Sequence, residues 1–327
     1  MMKMLSHYTN KKVNVVIITS LIASIIITNS LISFSPNENR VYNAILISTA
    51  SVGIALAICL VQIFRYKKSL RIREKNQSIL SEQSHEKQLP YYFDNNKMHF
   101  SICLFLVLWL AAQAIWLSQY QLISSYSVAD ALWFIGYASF GYFLYSLYYH
   151  YHSFRREFEP FVLILIAIII SIFLVFVLDV IVSTLRLVST QQVNISVLLV
   201  TLVYPILDAI MIFPAVLIFW AVRRIRKHQS ALQEEQKTGQ IKHEENKSSY
   251  TVSTVSSIWI LLLTIAMILS AIGDIGFAYS AALGPETVLR DAWIWNIIYN
   301  TDHLCLAAAL IGYRHFFSFN RIDALQH

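Results

Sequence analysis

The sequence predicts an all-α integral membrane protein with eight transmembrane helices. Of its 327 residues, 57% are hydrophobic and only 13% are charged, and the mean hydropathy is +0.55. Soluble domains carry about 25% charged residues. The apolar residues fall in blocks of about twenty, the length that a helix needs to cross a hydrocarbon core about 30 Å thick. These observations exclude a soluble globular domain, a disordered chain and a disulfide scaffold.

The individual spans are bounded by polar or charged residues. The first apolar block is too long for a signal peptide, and no small-residue cleavage pattern follows it. Windows of about 19 residues therefore place the eight spans at 13–34, 42–64, 99–120, 128–149, 160–182, 195–222, 255–281 and 292–317.

The distribution of lysine and arginine predicts that both termini are cytoplasmic. Cytoplasmic loops of membrane proteins retain positive charge. With the N-terminus inside, 22 of these residues lie on the cytoplasmic side, and 3 lie outside, namely Arg40, Arg186 and Arg290. The net charge of +6 thus reflects topology and predicts no nucleic-acid partner. The expected location is the cell membrane, with the lipid bilayer as the first partner.

Two long polar connections, 65–98 and 223–253, divide the chain into similar halves. Each begins with a basic cluster, and neither is long enough for a folded catalytic domain. The order span, span, long basic loop, span, span occurs twice. We therefore predict a first four-helix repeat at 1–157, a second at 158–319 and a short cytoplasmic tail at 320–327.

A shift of 162 positions aligns aromatic residues of the two halves: Trp133 falls on Trp295 and Tyr137 on Tyr299. An even number of spans per unit makes the halves parallel, related by an axis along the membrane normal.

The second half carries the ionisable residues. Asp208, Asp274, Asp302 and His303 fall inside predicted spans, whereas Gln113 is the most polar deep residue of the first half. Charged groups in the bilayer are costly, so they normally face a protein interior or a wet cavity. We expect them to line one pocket between the sixth, seventh and eighth spans, opening outward.

The sixth span carries a polar pair and two helix breakers. Tyr204 and Asp208 are four residues apart and share a helix face. Pro205 and Pro214 cannot donate backbone hydrogen bonds, which predicts a kinked helix whose freed carbonyls face a cavity.

The eighth span carries a polar stripe. Its members fall within about a third of the helix circumference at 100° per residue, with Asp302 at the edge. They are Asn296, Tyr299, Asn300 and His303. The expected site is a binding site for a small ligand, an ion or a proton, and an interhelical hydrogen-bond network is the structural alternative. No catalytic residue, metal or cofactor is expected.

Three short motifs resemble the multi-pass N-terminal sensory regions of some prokaryotic histidine kinases and diguanylate cyclases. They are YPxxD at 204–208, GD at 273–274 and DALWFIGY at 130–137. The resemblance implies a membrane module that senses a stimulus and passes it to a cytoplasmic output. No output domain is recognised in the sequence, so the expected output is a separate cytoplasmic or membrane protein.

Three other functions remain open on the same residues. Mid-membrane carboxylates and a kinked helix also suit an ion- or proton-coupled secondary transporter. An accessory structural subunit would use the polar residues only to join helices. An enzyme is less favoured, either as a metal enzyme built on Asp208, Asp274, Asp302 and His303 or as a protease.

The protease alternative rests on a second resemblance. Intramembrane aspartyl proteases carry one aspartate on the sixth span, in a YD setting, and one on the seventh, in a GxGD setting. Asp208 and Asp274 occupy these spans. Tyr204 lies four residues before Asp208 instead of next to it, the first glycine before Asp274 is missing, and no PAL motif follows.

Overall fold

The described part of the chain is helical throughout. The computed structural model describes residues 2–81, 95–119, 127–152, 203–223, 257–283 and 285–312, with isolated helical positions between 164 and 182. No strand occurs among these residues. The helices are α1 Met2–Ser33, α2 Arg40–Ser81, α3 Asn95–Ser118, α4 Val128–His152, α5 Val203–Arg223, α6 Ser257–Leu283 and α7 Pro285–Ile311, with a 3₁₀ turn at Asn37–Asn39.

Five described helices are long and apolar enough to cross a membrane, which confirms the predicted helical membrane class. The five segments are Asn14–Ser33, Asn37–Lys68, Asn96–Ser118, Val203–Arg223 and Ile258–Ala281. Two further predicted spans coincide with α4 and α7, which are helical but rich in tyrosine, asparagine and aspartate. The predicted span 160–182 and the start of 195–222 lie outside the described residues, apart from isolated positions.

Local sequence signals set several helix ends. Ser127 and Asp130 form a capping box at the start of α4, in which the Ser127 Oγ accepts from the Ala129 N–H and the Asp130 Oδ2 accepts from the Ser127 N–H. Pro285 opens α7, where its missing N–H leaves no helical hydrogen bond unmade. These signals separate long helices by short turns.

Ring and side-chain contacts show which helix ends lie together. The Arg40 guanidinium lies 4.9 Å from the Trp293 ring, so the starts of α2 and α7 are neighbours. Trp116 and Phe277 lie 6.1 Å apart near the ends of α3 and α6. Tyr204 contacts Asp130, which joins the starts of α5 and α4. One face of the bundle thus carries these ends, and the opposite face carries the other ends of the same helices.

Helix α7 is central to the described bundle, where it packs against α1, α2 and α6. Two glycines of α6 permit its close approach: a Cβ on Gly273 would overlap the Tyr299 ring, and a Cβ on Gly276 would overlap the Trp295 ring. Small residues at a helix interface let two backbones approach closely. This packing places Tyr299 beside Asp274, the residue that follows Gly273 in the sequence.

The surface of the bundle is apolar. Val16, Ile26 and Phe100 are each at least 60% exposed. A soluble protein rarely presents contiguous apolar patches of this kind. These side chains therefore indicate a surface solvated by lipid.

Candidate functional site

Tyr137 of α4 lies between the carboxyl groups of two other helices. Its hydroxyl oxygen is 2.8 Å from Asp208 Oδ1 on α5 and 2.8 Å from Asp274 Oδ2 on α6. Tyr137 is 4% exposed and Asp208 is 2% exposed, while Asp274 is half-buried. The two aspartates that the sequence predicted for one pocket therefore converge on a single phenol.

A second phenol completes this group. The Tyr299 hydroxyl, on α7, donates to Asp274 Oδ1 at 2.5 Å. Both oxygens of Asp274 are thus engaged by tyrosines from two different helices. We refer to Tyr137, Asp208, Asp274 and Tyr299 as the acid cluster. It joins α4, α5, α6 and α7.

The hydrogen-bond geometry of the acid cluster is satisfied by a shared proton. A phenol carries one proton, so the Tyr137 hydroxyl can donate to one carboxyl and accept from the other. It accepts only from a carboxyl group that is protonated. The remaining oxygen, Asp208 Oδ2, is buried without a partner among the described residues. Both 2.8 Å contacts are therefore hydrogen bonds when one member of the aspartate pair is a carboxylic acid.

The acid cluster lies deep in the bundle. Tyr137 is nine residues from the first residue of α4, and Asp274 is nine residues from the last residue of α6. At 1.5 Å per residue both lie about 14 Å from the same face. That depth is close to the middle of a hydrocarbon core about 30 Å thick. The predicted outward opening of a pocket here remains a prediction.

Asp302 adds a third acid near this group. Its carboxyl is close enough to Asp274 and Asp208 for their charges to interact, and it is 3% exposed. However, among the residues described, no three His, Cys, Asp or Glu side chains lie close enough together to hold a metal ion.

His303 belongs to a separate, neutral group. Trp109 Nε1 donates to His303 Nε2 at 3.1 Å, and Ser48 Oγ lies 3.1 Å from His303 Nδ1. An indole nitrogen is only a donor, so Nε2 is the accepting nitrogen and the proton resides on Nδ1. The 3.9 Å approach of Asp302 Oδ2 to Nε2 is thus not an ion pair.

Asn300 joins α7 to the first two helices. Its Oδ1 accepts from Ser51 Oγ at 2.6 Å, and its Nδ2 donates to Thr28 Oγ1 at 2.7 Å and Asn29 Oδ1 at 2.8 Å. Asn29 Nδ2 donates in turn to Thr301 Oγ1 at 2.9 Å. We call Thr28, Asn29, Ser51, Asn300 and Thr301 the amide cluster. Its members are neutral, and the bonds link α1, α2 and α7.

Two other predicted site residues form their hydrogen bonds outside the acid cluster, although the Tyr204 ring lies 6.2 Å from the Tyr137 ring. Asn296 is fully buried, but its Nδ2 donates to Ala292 O of its own helix, and its Oδ1 has no partner among the described residues. Tyr204 donates to Asp130 Oδ1 at 2.6 Å and stacks on Phe134. It therefore joins α5 to the start of α4 instead of contacting Asp208.

The two prolines of the sixth predicted span lie within α5. The helix is continuous from Val203 to Arg223 through Pro205 and Pro214. The Thr264 hydroxyl of α6 lies 3.3 Å from Ala215 O, beside Pro214. The predicted kink stays a prediction.

Sequence reasoning missed the residues that the first half contributes. No site role is predicted for Tyr137, Trp109, Ser48 or Ser51, because nothing in the pattern of one helix shows which neighbour it meets. One signal was available: Tyr137 aligns with Tyr299 at the shift of 162 positions. The hydroxyl groups of both tyrosines lie within hydrogen-bond distance of the Asp274 carboxyl group.

Comparison with protein-family models, with curated proteins and with solved structures gives no match to this chain.

Proposed function

We propose that this chain is a receptor-like membrane module whose stimulus is a change in proton occupancy of the acid cluster. The observation that carries this proposal is the position of the Tyr137 hydroxyl, 2.8 Å from carboxyl oxygens on two different helices. The shared proton holds α4, α5 and α6 together. Removing it places two carboxylates around one phenol.

The physical basis of the switch is the low dielectric of the bundle. Two like charges a few ångströms apart interact far more strongly there than in water. A charged group at the bilayer centre also costs several kcal/mol. Loss of the proton therefore favours separation of α5 from α6, or entry of water between them. This gives the bundle the two packed states that a switch requires.

The output follows from how the chain connects these helices. The polar loop 223–253 joins the end of α5 to the start of α6. A change in the spacing of the two helices moves both ends of this loop. A separate cytoplasmic protein that binds the loop reads that change, as the resemblance to sensory membrane regions implies.

Charge on the two faces supports the proposed sidedness, with both termini inside. One face carries exposed basic residues where α2, α3 and α5 end or begin: Arg65, Lys67, Lys68, Lys97 and Arg223. The other face carries Glu38, Asp130, Glu286 and Asp291 beside Arg40 and Arg290. The first is the composition of a cytoplasmic face. The paired roles of Tyr137 and Tyr299 support two parallel repeats within an eight-span protein.

A proton-coupled transporter is the second candidate, favoured by the same mid-membrane proton. The protease alternative is not supported by the geometry. An aspartyl protease uses two carboxyl groups that share one proton with each other, whereas the Tyr137 hydroxyl lies 2.8 Å from an oxygen of each carboxyl group here. A purely structural role would leave the spacing of α5 and α6 in the folded protein unchanged by pH.

The test measures the spacing of α5 and α6. Spin labels are attached at positions 223 and 257, near the basic face, in protein whose three cysteines are replaced by alanine. We expect the interlabel distance to increase between mildly acidic and mildly alkaline buffer. Asp208→Asn, which supplies a permanent neutral partner to Tyr137, should abolish the increase. Asp130→Asn is the control, because Asp130 also accepts from a tyrosine but lies at a helix end.

The outcome separates the candidates. A distance that is independent of pH in the parent protein would refute the proposed switch. Proton uptake into proteoliposomes that disappears in Asp208→Asn would assign the same proton to transport.

A further inference from the structure

A groove runs along the surface of the bundle between α3 and α4, with a volume of about 660 Å³. Phe100 and Leu104 of α3 and Ile135 and Tyr142 of α4 form its walls, and Ala138 forms part of its floor. Phe100, Ile135 and Tyr142 are 66%, 53% and 47% exposed. The groove is thus open to the surroundings of the protein and mainly apolar, with Ser101 and Ser139 as the hydroxyl-bearing residues of its lining.

The groove has one polar end. Packing of Phe105 on Phe140 and of Trp109 on Tyr137 shows that α3 and α4 are antiparallel. The positions toward the start of α3 therefore face those toward the end of α4. Asn96 and Lys97 lie at this end, together with Tyr142.

The polar end coincides with a membrane boundary. The apolar segment of α3 begins at Asn96, so the Lys97 ammonium group lies at headgroup level. From Lys97 to Leu104 the helix rises about 11 Å, most of the roughly 15 Å depth of one leaflet. The exposed basic side chains of Arg65, Lys67 and Lys68 belong to the same face.

We propose that this groove is a binding site for an anionic phospholipid of the cytoplasmic leaflet. One acyl chain lies along Phe100, Leu104, Ile135 and Ala138, and the phosphate meets Lys97. A peptide fits less well, because the hydroxyls of Ser101 and Ser139 in the lining already donate to carbonyl oxygens of their own helices. The charge at one end of the groove matches the phosphate of a phospholipid, and the apolar part of the groove matches its acyl chain. This proposal is independent of the acid cluster.

The test compares lipid retention in defined bilayers. The full chain is reconstituted into nanodiscs of equal parts phosphatidylglycerol and phosphatidylcholine, released into mild detergent, and the retained lipids are identified by native mass spectrometry. We expect phosphatidylglycerol to be retained in excess. Lys97→Gln should lower this excess about five-fold, the factor expected for one basic contact with an anionic membrane surface. Ala138→Phe should remove the bound lipid by filling the floor.

Matched controls separate a specific site from general attraction. Lys68→Gln removes an exposed charge from the same face without touching the groove, and Ala50→Phe enlarges an exposed position of α2. Both should leave retention unchanged.

Three results would overturn the proposal. Equal retention of the two lipids would show that the groove does not select charge. An equal effect of Lys68→Gln and Lys97→Gln would show diffuse attraction only. Ala138→Phe could instead lower thermal stability, or abolish dimers in lipid-free detergent, without changing lipid retention. That result would show that protein, and not lipid, occupies the groove.

Discussion

The acid cluster and the amide cluster both use helix α7, yet their hydrogen-bond chemistry differs. In the amide cluster, Asn300 meets hydroxyl and amide groups of α1 and α2, and each of these hydrogen bonds joins neutral partners. In the acid cluster, Tyr137 faces two carboxyl groups that are matched only when one carries a proton. We expect the first arrangement to be insensitive to pH and the second to depend on it. This comparison teaches that one polar helix can carry both neutral and titratable links to its neighbours.

Breaking the amide cluster should produce the largest loss of stability. Asn300→Ala removes three interhelical hydrogen bonds and leaves buried hydroxyl and amide groups without that partner, so we expect a loss of about 3 kcal/mol. The free energy of unfolding in mixed micelles measures it. The effect should be the same in acidic and alkaline buffer, because no ionisable group is involved.

Asn296→Ala is the matched control for this variant. Asn296 has the same side chain, lies on the same helix and is equally buried, but the hydrogen bond that its side chain donates stays within α7. We expect a change below about 1 kcal/mol. A similar loss in both variants would mean that burial of the side chain, and not its links to α1 and α2, stabilises the bundle.

Removing the Tyr137 hydroxyl should have an intermediate effect that depends on pH. Tyr137→Phe leaves Asp208 Oδ1 without its hydrogen-bond donor, and a buried polar group without a partner costs about 2 kcal/mol. A hydroxyl stabilises a charged carboxylate more than a neutral carboxylic acid, so its removal costs more once the aspartate pair has lost its proton. The loss should therefore be greater in alkaline buffer, as followed by thermal unfolding.

Tyr142→Phe serves as the control for Tyr137→Phe. Tyr142 lies on the same helix and is 47% exposed, so its variant should match the parent protein at every pH. A Tyr137→Phe variant whose stability has the parent's pH dependence would contradict the shared proton.

The smallest effect is expected where a neutral bond is removed beside the acid cluster. Trp109→Phe deletes the donor to His303 while retaining an aromatic ring next to Tyr137, so we expect a loss of about 1 kcal/mol with no pH dependence. Trp133→Phe is the control, because the Trp133 Nε1 has no partner among the described residues. Calorimetric unfolding of both variants measures the difference, and equal losses would exclude a contribution from the His303 bond.

Much of the architecture was accessible from the sequence. Apolar segment length predicted the helical membrane class, and five described helices confirm it. Helix ends are set by local residues, here the capping residues Ser127 and Asp130 and the helix-opening Pro285. Such signals can be recognised in the sequence without knowing which helices pack together. The number of spans, the repeats and the sidedness remain predictions.

The site was accessible only in part. Asp208 and Asp274 were assigned to one pocket because buried acids seldom face lipid, and the structure brings them together on Tyr137. Tyr204 and Asn300 were assigned to the same pocket, and their hydrogen bonds go to Asp130 and to the amide cluster, while the Tyr204 ring packs near Tyr137. A shared helix face does not determine which neighbouring helix supplies the partner.

The sequence by itself determined that this chain forms apolar helices with acids inside their spans, because helix length and hydropathy depend on each segment alone. Only the tertiary structure decided that the two aspartates meet one tyrosine from the other half of the chain, and that His303 pairs with Trp109. The physical reason is that hydrogen bonds between helices depend on the rotation and depth at which the helices pack. The small residues of α6 and the rings of α7 set that geometry jointly.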